Sequence, residues 1–139
     1  MTTFIEGGVT AAKGFQAAGV HCGIRKNRAK KDLGLIVSDR PASAAAVYTR
    51  NLVKGAPLTV TQAHIADGRA RAIVCNSGIA NTCAFDGIEK AEAMCALTAE
   101  ALGIDAADVV VASTGVIGPS IDIAPIAAGL PRLAAALSA

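Results

Sequence analysis

The stretch Val109-Val110-Val111-Ala112-Ser113-Thr114-Gly115-Val116-Ile117-Gly118 constrains this chain more than any other. Its β-branched start is stiff at χ1 and packs best on a pleated, buried surface, so it reads as a strand. Hydroxyls and glycines then replace the aliphatics, which predicts a turn at the strand end. In open α/β sheets such ends present chemistry, because backbone N–H groups leave the ladder there and can aim at a ligand. Thr114 and Gly115 are the candidates. A hydroxyl beside a glycine N–H provides two neutral donors for one developing negative oxygen, which is what an oxyanion hole needs. An ordinary strand end would use the same residue types without any chemistry.

The rest of the chain has to bury that strand. Its 139 residues suit one domain. They are 53% hydrophobic but only 3% aromatic, with no Trp. A core of Ala, Val, Ile and Leu favours helices packed in layers on a sheet, hence an α/β domain. A net charge of +2 is far from the basic excess of a nucleic-acid binder. No basic segment followed by an apolar one opens the chain, and no apolar run is long enough to span a bilayer, so a soluble cytoplasmic protein is expected. Cys22, Cys75, Cys83 and Cys95 form no C-x-x-C pair and fit reduced thiols. His21 and His64 lack ligand spacing, so no metal site is expected.

Along the chain, Gly7 to Phe15 reads as a loop, with no Gly-Lys-Ser/Thr ending to make it a phosphate-binding P-loop. Phe15 to Ile24 alternates loosely as a strand. The five cations in Arg25-Lys26-Asn27-Arg28-Ala29-Lys30-Lys31 predict a solvated hairpin loop. Leu33 to Val37 is a strand that Pro41 should stop, Ala44 to Thr49 a third strand paired with it, and Leu58 to Val60 a short strand before two helical turns. His64 is expected on a helix surface without a carboxylate to orient it. Arg71 to Cys75 is the next strand, left by the loop Asn76-Ser77-Gly78-Ile79-Ala80-Asn81. Asp86 and Glu89 resemble a capping box that opens a helix. Ile88, Ala91, Met94, Cys95, Thr98, Ala101 and Leu102 share one arc of it, and Gly103 ends it. Asp122 should cap a short helix over 123–128, broken at Gly129-Leu130 before a second helix over 132–137. Ile36, Ile73, Val74 and Val110 are expected in the core, from the continuous apolar runs.

Four segments in order resemble the amino-terminal part of the ornithine acetyltransferase family, also called the bifunctional glutamate N-acetyltransferase. They are Gly8-Val9-Thr10-Ala11-Ala12-Lys13-Gly14-Phe15, Lys31-Asp32-Leu33-Gly34-Leu35-Ile36, Asn76 to Asn81, and Ala112 to Gly118. Ala12 and Ile79 stand where the family often has Pro and Asn. The resemblance implies a layered α/β sandwich of the ornithine acetyltransferase and DmpA-like type, with residues 1–139 forming the amino-terminal, alpha-subunit domain. It implies a precursor that cuts itself before an internal threonine downstream of residue 139, whose hydroxyl is the nucleophile. It also implies ping-pong transfer of acetyl from N-acetylornithine to glutamate, with acetyl-CoA open as a co-substrate and no other cofactor. The implied partner is a beta subunit from the same precursor, in a heterotetramer of two alpha and two beta chains. The family's oxyanion pair falls on Thr114 and Gly115. A β-aminopeptidase-like hydrolase of similar architecture and a non-catalytic binding module are the alternatives, and this chain alone is expected to be inactive.

Overall fold

The computed structural model describes residues 2–139. Four strands form one sheet in the order β1-β2-β3-β4, with β1 at Phe15–Val20, β2 at Leu33–Ser43, β3 at Arg69–Ile79 and β4 at Val109–Val116. The first two pairings are antiparallel and β3/β4 is parallel. The parallel pair needs a crossover, which the helix α2 at Gly87–Leu102 supplies. Together with α1 (Ala56–His64) and α3 (Ile123–Ala135) it lies on one face of the sheet. This is the α/β architecture expected from the composition.

The core sits between that face and the helices. Leu33, Leu35, Val74, Val109 and Val111 from the strands meet Val60, Ala91, Met94, Cys95, Ile126, Leu130 and Leu133 from the helices. Each fully buried aliphatic side chain contributes about 1.5–3 kcal/mol relative to exposure. The other face carries no helix. Ile73 is 39% exposed, and Ile36 and Val110 are half-buried, so of the four core residues expected only Val74 is enclosed. The apolar runs looked double-covered because adjacent residues of both faces are aliphatic. In this chain the helices occupy one side only.

Several boundaries differ from the pattern in the sequence. The strand β2 runs through Pro41, because the register shifts between Val37 and Ala42 and the proline lies in that irregularity, where no ladder N–H is required. Residues 44–50 are accordingly not a strand, and β2 pairs with β1 and β3 instead. Leu58 to Val60 belongs to α1, which Pro57 opens in its first turn and which buries Pro57, Val60 and Thr61 at helical spacing. α3 is one helix through Gly129 and Pro131, and no break occurs at Gly129-Leu130. Gly129 is required for contact instead: a Cβ there would stand 2.6 Å from the Cys22 Cβ.

α2 keeps its expected span and its Gly103 stop at φ 65°; of its expected arc Ala91, Met94, Cys95 and Thr98 are buried, Ala101 and Leu102 half-buried, and Ile88 46% exposed. The capping box does not form. Asp86 makes no side-chain cap and instead accepts from the Ser120 hydroxyl at 2.6 Å, tying α2 to the segment before α3. Asp122 caps α3 as expected, accepting from the Ala124 N–H at 3.0 Å.

Candidate active site

The apolar run of β4 stays paired beyond its aliphatic part. In place of a free turn, Asn76, Ser77, Gly78 and Ile79 of β3 stand opposite Ser113, Thr114, Gly115 and Val116 in an unbroken parallel ladder. The expected turn and the expected loop are therefore two strand ends held against each other. This is the carboxyl end of the parallel pair, the place where open α/β sheets bind ligands.

Glycine is obligatory at the crossing. Gly78 and Gly115 have φ of 123° and 137°, a region that side-chain-bearing residues rarely enter. A Cβ on Gly115 would lie 2.2 Å from the Gly78 carbonyl carbon, so only the bare backbone fits.

β4 is also an edge strand, and its hydrogen bonds show which amides are free of the ladder. The Thr61 hydroxyl accepts from the Val111 N–H at 3.2 Å and donates to the Val111 carbonyl at 3.1 Å. Val111 thus faces away from β3, and strand alternation puts the Ser113 and Gly115 amides on that same open edge. Val116 falls on the opposite phase, its carbonyl accepting from the Ala80 N–H at 2.9 Å. Thr114 and Gly115 are both exposed. A strand that is paired on one side still offers the Gly115 N–H beside the Thr114 side chain, which is the donor arrangement an oxyanion requires.

Three further residues border this corner. Arg25, expected in a solvated loop, is half-buried, and its Nε–H donates to the Ser77 Oγ at 2.9 Å. Ser77 stands opposite Thr114 in the β3/β4 ladder, so the guanidinium is held on the residue that faces the candidate hydroxyl's strand position. The Ser113 hydroxyl and the Tyr48 phenol are buried without a hydrogen-bond partner among the described residues, and both line a cavity of about 230 Å³ beside the open edge of β4. Contacts spanning 52 residues, such as Arg25 to Ser77, leave no periodicity to read. Ser113 could have been found by counting in twos from the buried Val109 and Val111.

His21, Cys22 and Asp32 have the residue types of a nucleophile, a base and an orienting acid, but the wrong connectivity. His21 Nδ1 is 3.1 Å from the Asp32 carboxylate, and Cys22 reaches that same carboxylate through its backbone N–H at 2.6 Å, with no thiol–imidazole hydrogen bond among the described residues. Burial, then the bond to Asp32, pushes the thiol up to about 11, so it stays protonated at neutral pH and is no nucleophile. For Asp32, burial raises the carboxyl. Backbone N–H bonds from Arg25, Cys22 and Gly23 outweigh that and hold it below the usual carboxylate range. The cluster is an anchor for the β1–β2 loop.

His64 is likewise structural. It is not on an open surface: Nδ1 lies 2.8 Å from the Val109 carbonyl and Nε2 3.2 Å from Glu92. The orienting carboxylate that the sequence spacing did not offer comes from α2, 28 residues away. All four cysteines are free thiols. Among the described residues no helix is long and apolar enough to cross a membrane.

What the corner can do is therefore limited and specific. It can donate hydrogen bonds to an anionic oxygen. A nucleophile needs a base within hydrogen-bond reach, and the Thr114 hydroxyl has none among the described residues.

Comparison with known proteins places this arrangement. The chain is 47% identical over 135 residues to the arginine biosynthesis bifunctional protein ArgJ of Geobacillus kaustophilus (strain HTA426), covering 96% of this chain and 32% of that protein. Its structure superposes on the crystal structure of arginine biosynthesis bifunctional protein ArgJ from Bacillus halodurans with a TM-score of 0.86 and 48% identity, covering 91% of this chain and 66% of the other. Ornithine acetyltransferase from Mycobacterium tuberculosis, solved in complex with ornithine, matches with a TM-score of 0.88 and 38% identity, over 94% and 71% of the two chains. The chain spans about a third of the length of the curated relatives it matches. Residues 16–139 match the ArgJ family, and with the agreement in fold this chain belongs to that family.

Proposed function

We propose that the whole protein carrying this chain is a glutamate N-acetyltransferase that moves acetyl from N2-acetylornithine to glutamate by a ping-pong route, in the cytoplasm. Thr114 and Gly115 supply the oxyanion hole. The nucleophile is a threonine freed by self-cleavage of a precursor and lies in the beta subunit of a heterotetramer with two alpha and two beta chains. Acetyl-CoA stays open as a second acetyl donor, and the reading calls for no resident cofactor.

The observation that carries this reading is the corner itself: a glycine N–H on an open strand edge, next to an exposed threonine, with no base among the described residues to make that threonine a nucleophile. The names of the M. tuberculosis structure and the curated relatives support the substrate class. In each half-reaction an acyl carbonyl becomes tetrahedral and its oxygen gains charge. Donors aimed at that oxygen act mainly in the transition state, so removing one lowers kcat with little change in substrate affinity.

The test uses the complete precursor. Mass spectrometry should find two fragments, the second beginning with threonine, and the purified product should exchange acetyl between N-acetylornithine and glutamate. Thr114→Ala should then lower turnover by about 10²–10³ in both half-reactions, with an unchanged melting temperature, and Thr114→Ser should retain most of the rate. An uncleaved, inactive precursor refutes the acetyltransferase reading. A lower melting temperature with full turnover per folded molecule removes Thr114 from the mechanism.

A further inference from the structure

The basic loop between β1 and β2 is more than a solvated run of charge. His21, Arg25, Lys26 and Arg28 from the loop face Arg132 in the last turn of α3 across one concave space of about 590 Å³. Two elements distant in sequence thus aim cations at the same volume.

The loop that carries them is pinned. The Asp32 carboxylate accepts from the backbone N–H groups of Cys22, Gly23 and Arg25 at 2.6, 3.2 and 2.9 Å. Asn27 closes the tip, its side chain accepting from the Ala29 N–H at 3.0 Å and its carbonyl from the Lys30 N–H at 3.2 Å. The Arg132 Nη2 donates to the His21 carbonyl at 3.4 Å, which holds α3 to the loop. The backbone that carries the cations is set before any ligand arrives, so binding need not order it.

Their charge is uncompensated. The ion pairs among the described residues join His21 to Asp32, His64 to Glu92, and Lys90 to Asp86 and Glu89, so none engages Arg25, Lys26, Arg28 or Arg132. Asp32, the carboxylate beside the space, is already occupied by three N–H donors and His21. Holding several cations together without counter-charge is unfavourable through mutual repulsion, and an anion relieves it.

We propose that this concavity is a binding site for a ligand bearing a diphosphate group. A single carboxylate would satisfy one cation and leave the others facing each other. A diphosphate brings two to three negative charges, on the order of what the loop and α3 present. Arginine forks match phosphate oxygens in bidentate geometry, and three of the five groups are arginines. Arg25 also joins this site to the candidate oxyanion corner through Ser77, so a long ligand held here can extend toward Thr114. The proposal stands on the charge geometry alone and does not require the acetyltransferase reading.

Isothermal titration calorimetry of the complete protein with inorganic pyrophosphate tests it. Saturable binding is expected, weakening at least tenfold between ~50 and ~200 mM salt as the exposed charges are screened. Lys26, Arg28 and Arg132 are exposed, so the triple variant Lys26→Ser, Arg28→Ser, Arg132→Ser should fold normally and bind at least tenfold more weakly. If the triple variant melts early, Arg28→Ser alone should still weaken binding about threefold. ADP and coenzyme A distinguish a free nucleotide from an acyl carrier as the natural source, and the tighter of the two identifies it. The proposal is overturned if pyrophosphate does not bind, if the variants bind it as the parent does, or if sulfate binds as tightly as pyrophosphate. Absence of acetyl transfer with pyrophosphate binding intact would refute only the proposed function.

Discussion

The two faces of the sheet are built from alternate residues of the same strands, aliphatic on both sides, and behave differently. In β3, Val74 is fully enclosed beneath the helices, while its neighbour Ile73 is 39% exposed on the other side. Both are β-branched aliphatics in one continuous run. The helix-covered face holds the fold together; the uncovered face and the open edge of β4 carry Thr114, Ser77 and the Gly115 N–H. Stability and the candidate chemistry are thus separated by a single alternation of the pleat.

The strongest way to break that separation is at the glycine crossing, where both regions meet. Gly115→Ala forces a Cβ to within 2.2 Å of backbone and should cost more than about 4 kcal/mol, read as loss of the cooperative denaturant transition or a large fall in its midpoint. A normal midpoint in this variant would mean the two strand ends are not locked together.

A more direct contrast compares the faces themselves. Leu35→Ala, on the enclosed side at 1% exposure, should lose about 2–5 kcal/mol in urea unfolding of this chain, and Ile73→Ala on the open side less than about 1 kcal/mol. Equal losses would show that both faces are packed.

Smaller again is the anchor beneath the basic loop. Asp32→Asn cannot accept equally from three N–H donors and should cost about 2 kcal/mol at neutral pH. The folded carboxyl lies below its ordinary value of 3.8, so its contribution is complete above that pH and is lost as pH falls through the folded value. The parent should therefore lose stability in acid more steeply than the Asn variant. Parallel acid limbs would contradict the assignment.

The smallest effect is expected at Cys22. With a thiol pushed up to about 11 and no imidazole to activate it, Cys22→Ser should leave turnover of the complete enzyme within a factor of about two. A loss on the scale of Thr114→Ala would place the cluster in the mechanism.

Much of this was legible in local pattern. The β1–β2 hairpin, the apolar arc and Gly103 stop of α2, the Asp122 cap and the β-branched start of β4 are each written in local pattern, where period and capping chemistry act. The readings that changed depend on partners far along the chain. Asp86 left its helix cap because Ser120 was in reach. α3 did not break at Gly129-Leu130, since Gly129 is where the helix packs against Cys22 and Leu33.

The same division applies to the candidate site. The sequence by itself determined that a buried β-branched strand leads into Thr114-Gly115, because β-branched runs and glycine carry their conformational limits wherever they occur. It also determined, through ordered segments, the family to which the chain belongs. Only the tertiary structure decided that these two residues lie in a paired ladder with one open edge, that Gly78 presses on Gly115, and that Arg25 reaches Ser77. Those facts depend on which backbones approach one another across tens of residues. Such contacts are set by packing and hydrogen bonding between elements, which no local window of residues contains.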